Sequence, residues 1–369
     1  MKEVRIGVIG VGSRGGMVRL AHRPKEGFRV IAGADINADN FKSLTDYAGN
    51  DIFVSKDYKA LLALKDLDAV FIASPDFLHE EHALAALRAG KAVYLEKPMA
   101  ITVEGCDRLL RTARKNGSKL YLGHNMRHFP VILKMKEIID SGEIGDVVQI
   151  YFNYAPGPWT LEGAAWKVKR SSGGLFANKL NHYVDLLRWL VGKPLESVAC
   201  TCAPKIIPYY EFTDNAFSTY RFEGGAIAQI LFNQTSTALP YDGSVDACYR
   251  ASGHRLEYTV VGTKGNLFVD IWHPSIRVIH NYLDDGKYYP RPNRTEDYHD
   301  LPTWKLYHNV QDETRDIVNR IASGQKEYIT PDDAYQSTLA CLGADVSMTR
   351  DGQPITMAEV EKIAPAPAA

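Results

Sequence analysis

Hydrophobic and polar positions change rhythm once along this chain of 369 residues. Up to about residue 124, runs that are apolar at nearly every position alternate with stretches whose apolar residues recur every three or four. The runs at 4–9, 29–34, 69–73, 92–95 and 119–122 predict strands buried on both faces. The stretches at 15–22, 38–48, 77–88 and 102–115 predict helices between them, and Asn116-Gly117 supplies a stop signal for the last. Strand–helix alternation of this kind predicts a doubly wound parallel sheet of the α/β class.

Beyond residue 124 the texture changes. One helix at 130–141 leads into strand-like runs at 147–154, 216–222, 226–235, 257–261 and 266–269. Gly224-Gly225 and the stretch 262–265 separate neighbouring runs as hairpin turns, which predicts a largely antiparallel sheet. Within it lies one strongly helical insert at 175–191, and two helices near 309–322 and 332–348 follow. The segment 284–302, rich in Tyr, Asp, Arg and Pro, reads as a long loop, and 364–369 as a disordered tail. Two domains are expected, 1–123 and 124–369, with the last helices packing back towards the first.

Composition narrows the function classes. Hydrophobic residues make up 45% and charged residues 24%, ordinary for a globular protein. A net charge of −1 gives no electrostatic case for nucleic acid or an anionic membrane. No apolar run is long enough to span a bilayer, and the chain enters its first strand at once, without a signal-peptide pattern, so a cytoplasmic location is expected. Five cysteines without a C-x-x-C spacing read as reduced thiols. His79 and His82 are three residues apart with no third ligand in view, so no metal site is expected.

Chemistry enters at the ends of the predicted strands. Gly10-Val11-Gly12-Ser13-Arg14-Gly15 follows the first and opens a helical stretch, the arrangement that cradles a dinucleotide pyrophosphate on backbone N–H groups. Asp35 lies 20 residues past Gly15, where a carboxylate would accept hydrogen bonds from the adenosine ribose and repel a 2′-phosphate. NAD is therefore the expected cofactor. Ser74 and Pro75 end another strand and border the ligand crevice; His79 either joins them or is an ordinary polar residue at a helix start. Glu96-Lys97-Pro98 ends the next strand and places a lysine where a substrate hydroxyl would be held. On the insert, Asn178, His182 and Asp185 fall at i, i+4 and i+7, a polar stripe on one helix face. Tyr154, Trp159 and Trp166-Lys167 put aromatic faces beside cations before it, suited to stacking on a sugar or to core packing.

In this order the motifs resemble the Gfo/Idh/MocA oxidoreductases over nearly the whole chain. The likeness rests on the glycine turn, Asp35, Ser74-Pro75, Glu96-Lys97-Pro98, the stretch from Gly123 through Asn125 to Arg127, Ser172-Gly173-Gly174, and His182 with Asp185. It implies a Rossmann domain, then an α/β domain whose large open sheet often forms an oligomer interface, and NAD(P)-linked chemistry on sugars, cyclitols or related alcohols. By the same resemblance Lys97 and His182 are the catalytic pair, and Asp185 the acid that binds or orients the reacting group. Asn125 lies near the nicotinamide, and Arg127 is placed with the substrate. The chain departs from the common D-x-G-x-H pattern, since Asn178 stands where an acid is usual and Lys179 adds a cation. Both are expected near the substrate, and inositol is not assumed.

The expected activity is NAD-dependent oxidation of a secondary alcohol of a sugar, glycoside or cyclic polyol, by a homodimer or homotetramer. Two alternatives stay open: redox-neutral elimination, glycoside cleavage or epimerisation with tightly held NAD, and a non-catalytic dinucleotide-binding sensor.

Overall fold

The structure, a computed structural model, describes residues 3–363 except 13, 118, 160, 162–164, 236–253, 285, 303–304 and 306–308. Ser13 and the tail at 364–369 lie outside the described residues. The first part of the chain builds a six-stranded sheet from β1 (Val4–Ile9), β2 (Phe28–Ala34), β3 (Phe53–Ser55), β4 (Ala69–Ile72), β5 (Ala92–Glu96) and β6 (Leu120–Gly123). Every pairing is parallel, in the order β3-β2-β1-β4-β5-β6. Chain direction across the sheet reverses between β1 and β4, which opens a crevice beyond their C-terminal ends. Strand β3 escaped the hydrophobic pattern because it is a three-residue edge strand with Phe53 and Val54 partly exposed.

Helices α1 (Phe41–Ala48), α2 (Tyr58–Leu62), α3 (His79–Arg88) and α4 (Val103–Asn116) cover this sheet. Thr102 caps α4 by accepting from the Gly105 N–H, and Gly117 ends it in the left-handed region. The helix expected at 15–22 is instead a 3₁₀ segment, Gly15–Ala21. Two leading glycines and the lack of a capping side chain leave little to hold a full α-turn there.

Helix α5 (Pro130–Asp140) leads into the second sheet: β7 (Val147–Ala155), β8 (Leu195–Thr201), β9 (Asn215–Phe222), β10 (Ile227–Asn233), β11 (Arg255–Gly262), β12 (Gly265–Asp270), β13 (Ser275–Asp284), β14 (Lys287–Asp297) and β15 (Ile355–Thr356). The order is β14-β13-β12-β11-β7-β10-β9-β8-β15, antiparallel except where β10 pairs with β7. The loop expected at 284–302 is largely the hairpin β13–β14, registered from Ser275 opposite Asp297 to Asp284 opposite Lys287. Its prolines hid the strand pattern, yet β14 lies at the sheet edge, where missing N–H donors are tolerated.

One face of this sheet packs Phe152, Tyr258 and Phe232 into the main core with Tyr183 of α6 (Asn181–Val191). The helical insert is therefore two pieces, a π-helical turn at Leu175–Leu180 followed by α6. Helix α7 (Val310–Ser323) returns to the first sheet, where Ile317 and Val318 share a core with Val4, Ile6, Val8 and Phe28. Helix α8 (Pro331–Thr349) lies against β8, α4 and α6, and α9 (Met357–Val360) follows β15. Among the described residues no helix is long and apolar enough to cross a membrane, and four cysteines are free thiols.

Candidate active site

The strand ends of the first sheet and the π-turn of the second part of the chain share a cavity of about 560 Å³. On the first-sheet side the glycine turn does what its spacing requires. A Cβ on Gly15 would lie 1.8 Å from the Gly10 carbonyl oxygen, so only glycine allows this approach. At Gly12 the nearest atom to such a Cβ is Asn40 Nδ2 at 3.5 Å, which leaves its outer side open for a ligand. Asp35 braces the turn: Oδ2 accepts from the Val11 N–H at 2.8 Å and Oδ1 from the Asn37 N–H at 2.9 Å. Arg14 reaches across to β5, with Nε 3.4 Å from Glu96 Oε1. Ser74 and Pro75 line the opposite wall.

His79 is more brace than ligand. Its Nδ1 lies 2.7 Å from the Pro98 carbonyl and its Nε2 2.9 Å from the Ser74 carbonyl, so the buried ring ties the loops after β4 and β5 together. Asn125, in the turn after β6, is 2% exposed, and neither carboxamide atom has a partner among the described residues. A buried amide left this way costs about 1–3 kcal/mol, which a bound carboxamide would recover. The open cradle and the orphaned amide both fit NAD.

Lys97 enters from the end of β5, half-buried, its Nζ donating to the Asn178 carbonyl at 2.5 Å. Burial pulls its pKa down, opposed by Asp76 and Glu96 and reinforced by Arg14 and Lys167. The Asn178 carboxamide donates to Asp76 Oδ2 at 2.6 Å. So where an acid is missing at 178, a buried carboxylate is delivered from the turn after β4. Burial raises the Asp76 pKa, while Lys97, His79 and the Asn178 hydrogen bond pull it back. His182, 9% exposed, lines the same cavity and meets the ring of His124 edge-on at 6.0 Å.

Of the expected contacts, Asn125 and the pair Asp185 and Arg127 lie off the cavity lining. Asp185 and Arg127 form a buried bidentate ion pair, Nε to Oδ2 at 2.8 Å and Nη2 to Oδ1 at 2.7 Å. Ser337 of α8 also donates to Asp185 at 2.9 Å. The π-turn widens the coil before Asn181, presenting Asn178, Lys179 and His182 to the cavity, while Asp185 turns towards α8. Burial alone would raise the Asp185 pKa, but Arg127 and His124 outweigh it and hold the carboxyl well below the usual range.

The remaining wall is aromatic and basic. Lys179 Nζ lies 4.8 Å from the Trp159 ring centroid and 5.4 Å from that of Tyr154. Lys167 Nζ lies 5.9 Å from the Trp159 ring and 5.6 Å from that of Trp166. Burial, with Lys97 and Lys167 nearby, pushes the Lys179 pKa down to about 7. Sequence reasoning gave Asp76 and His124 no role, whereas it already placed Lys167 beside Trp166 as a candidate for stacking on a sugar. Asp76 carried a signal, its place beside Ser74-Pro75 at a strand end; His124 carried none, since its partners Asn181 and Asp185 are supplied by α6.

Strand order, glycine turn and a lysine and histidine meeting in one cavity define a dinucleotide-linked oxidoreductase of two-sheet α/β architecture. Residues 4–124 match the oxidoreductase family with an NAD-binding Rossmann fold, GFO/IDH/MocA, and 132–268 match the GFO/IDH/MocA C-terminal domain. The chain belongs to this family, and its cofactor is NAD. It is 34% identical to an inositol 2-dehydrogenase of Klebsiella pneumoniae over 53% of this chain and 57% of that one. Identity to the 2,7-anhydro-N-acetylneuraminate hydratase of Mediterraneibacter gnavus is 30%, over 54% of this chain and 53% of that one. The fold is shared with the scyllo-inositol dehydrogenase of Lactobacillus casei solved with NAD(H) and scyllo-inositol: TM-score 0.75, 21% identity, 97% of this chain and 100% of that one.

Proposed function

We propose that this protein is an NAD-dependent dehydrogenase that oxidises a secondary alcohol of a sugar, glycoside or cyclic polyol. The observation that carries the reading is the convergence of Lys97 and His182 on the cavity that also holds the glycine turn. Bound NAD supplies the hydride acceptor. Lys97 holds the substrate hydroxyl and stabilises the alkoxide that develops; its lowered pKa brings it closer to proton transfer near neutrality. His182 takes the hydroxyl proton. Asn178 positions the ammonium through its carbonyl and bridges to Asp76 through its carboxamide. Trp166 and Lys179 face the rest of the substrate. A sensor would have no use for this pair. The test is a panel of sugars, glycosides and cyclitols read by NADH absorbance; no NADH from any member overturns net oxidation.

Asp35 supports NAD over NADP, because a second negative charge beside it costs at least ~1–3 kcal/mol, roughly ten- to a hundredfold. Steady-state kinetics with both cofactors decide it, and equal efficiency with NADP would remove Asp35 from this role. The relative named as a hydratase favours a second reading, redox-neutral chemistry. Product formed without net NADH, by protein that purifies with stoichiometric NAD, would select it.

A further inference from the structure

The cavity walls carry an imbalance that the oxidation of a neutral polyol leaves unused. Three acids line it, and each is already engaged by neighbouring groups. Asp35 braces the glycine turn, Glu96 lies beside Arg14 and accepts from Tyr94, and Asp76 accepts from Asn178. Lys167 and Lys179 share the Trp159 ring, half-buried; Asp76 and Glu96 act on Lys167 only at longer range, and among the described residues neither lysine has a carboxylate within ion-pair distance.

Their platform is built. The Trp159 N–H donates to the Tyr210 hydroxyl at 2.6 Å, and its carbonyl accepts from the Tyr209 hydroxyl at 2.8 Å. The Tyr154 ring under Lys179 packs 4.3 Å from Tyr183. Two ammonium groups held over fixed aromatic faces, in a cavity that excludes much of the water, repel one another until an anion joins them. Burial, and after it the nearby charges of Lys97 and Lys167, lower the Lys179 pKa, so a bound anion would favour its charged form. A sugar ring would stack on Trp159 and Trp166 with its charged end at the lysines.

We infer that the substrate is an anionic sugar derivative whose carboxylate or phosphate is held between Lys179 and Lys167 over Trp159. The inference rests on the dehydrogenase reading for its reaction but not for its binding. Calorimetry on the protein saturated with NADH, where no oxidation occurs, compares glucuronate with glucose, galacturonate with galactose, and glucose 6-phosphate with glucose. The acidic member of at least one pair should bind at least about tenfold tighter, the scale of one well-placed charge contact. In Lys179→Met and, separately, Lys167→Met, that ratio should fall about tenfold, and Lys179→Arg should keep most of it. Which pair responds distinguishes carboxylate from phosphate. Neutral sugars binding as tightly as their acids, or a ratio unmoved by both methionine variants, overturns the inference. So does a loss that falls on NADH affinity instead, which would assign the lysines to the cofactor's phosphates. If acid selectivity is present while no panel member yields NADH, the anion site stands and the oxidation reading is the one that fails.

Discussion

Lys97 and His182 line one cavity, Lys97 from the end of β5 and His182 from α6, and both are proposed to act on the group to be oxidised. Contacts made mainly in the transition state lower turnover when removed and leave ground-state binding little changed. Lys97→Ala and His182→Ala should each lose at least ~100-fold in kcat, the usual scale for an acid–base group, and bind NAD within a few-fold of wild type. Their double variant should lose less than the product, since both act on one hydroxyl. Near-normal turnover in Lys97→Ala would end the assignment. Asp185 has a different job. Removing it strands the Arg127 guanidinium in the core, so Asp185→Ala should destabilise the fold by about 3–5 kcal/mol in denaturant titrations. The pH dependence follows from its depressed pKa. The carboxylate's contribution is complete above the unfolded value near 3.8 and is lost as pH falls below it towards the lower folded value. Asp185→Asn should therefore flatten the acid limb of the stability curve, and an unchanged acid limb would deny the ion pair its role.

At the scale of elements, function sits where regular structure is interrupted. The 3₁₀ segment at Gly15–Ala21 follows directly on the glycine turn that lines the cavity, and the π-turn at Leu175–Leu180 lines it with Asn178 and Lys179. The first depends on Gly15. In Gly15→Ala the new Cβ would meet the Gly10 carbonyl oxygen at 1.8 Å, so backbone must shift and the cradle with it. NAD affinity should drop at least about tenfold, the equivalent of one or two backbone hydrogen bonds to the phosphates. Fluorescence titration measures it, and unchanged affinity would mean that the turn does not hold the pyrophosphate. Hydrophobic periodicity located both segments as helical. It did not identify either helix type, because apolar spacing records which side is buried rather than how tightly the coil is wound.

At the scale of the molecule, among the described residues the second sheet buries one face and leaves apolar side chains exposed on the other. Phe217 is 64% exposed and pairs across the strands with Leu231, itself 38% exposed, and Tyr151 lies one strand further over. We propose that a second copy covers this face in a homodimer or homotetramer, since bare apolar sheet is normally buried. Light scattering should give a particle at least twice 41.1 kDa, and the double variant Phe217→Lys, Leu231→Lys should reduce it towards one chain. Wild-type protein that is monomeric at micromolar concentration overturns this.

Sequence alone determined the doubly wound first sheet, the glycine turn, and the appearance of Lys97 and His182 in their elements. Each is a local matter: strands apolar on both faces, a glycine where only glycine fits, a polar residue at a strand end. Only the tertiary structure decided which polar groups meet. Asp185 pairs with Arg127 across 58 positions and Asp76 with Asn178 across 102, and Lys167 and Lys179 come to share one ring. Spacing along a helix places a side chain on a face but does not say what faces it. The partner arrives from another element, and the depth of burial it brings sets whether a charge is neutralised, strained or left open to a ligand.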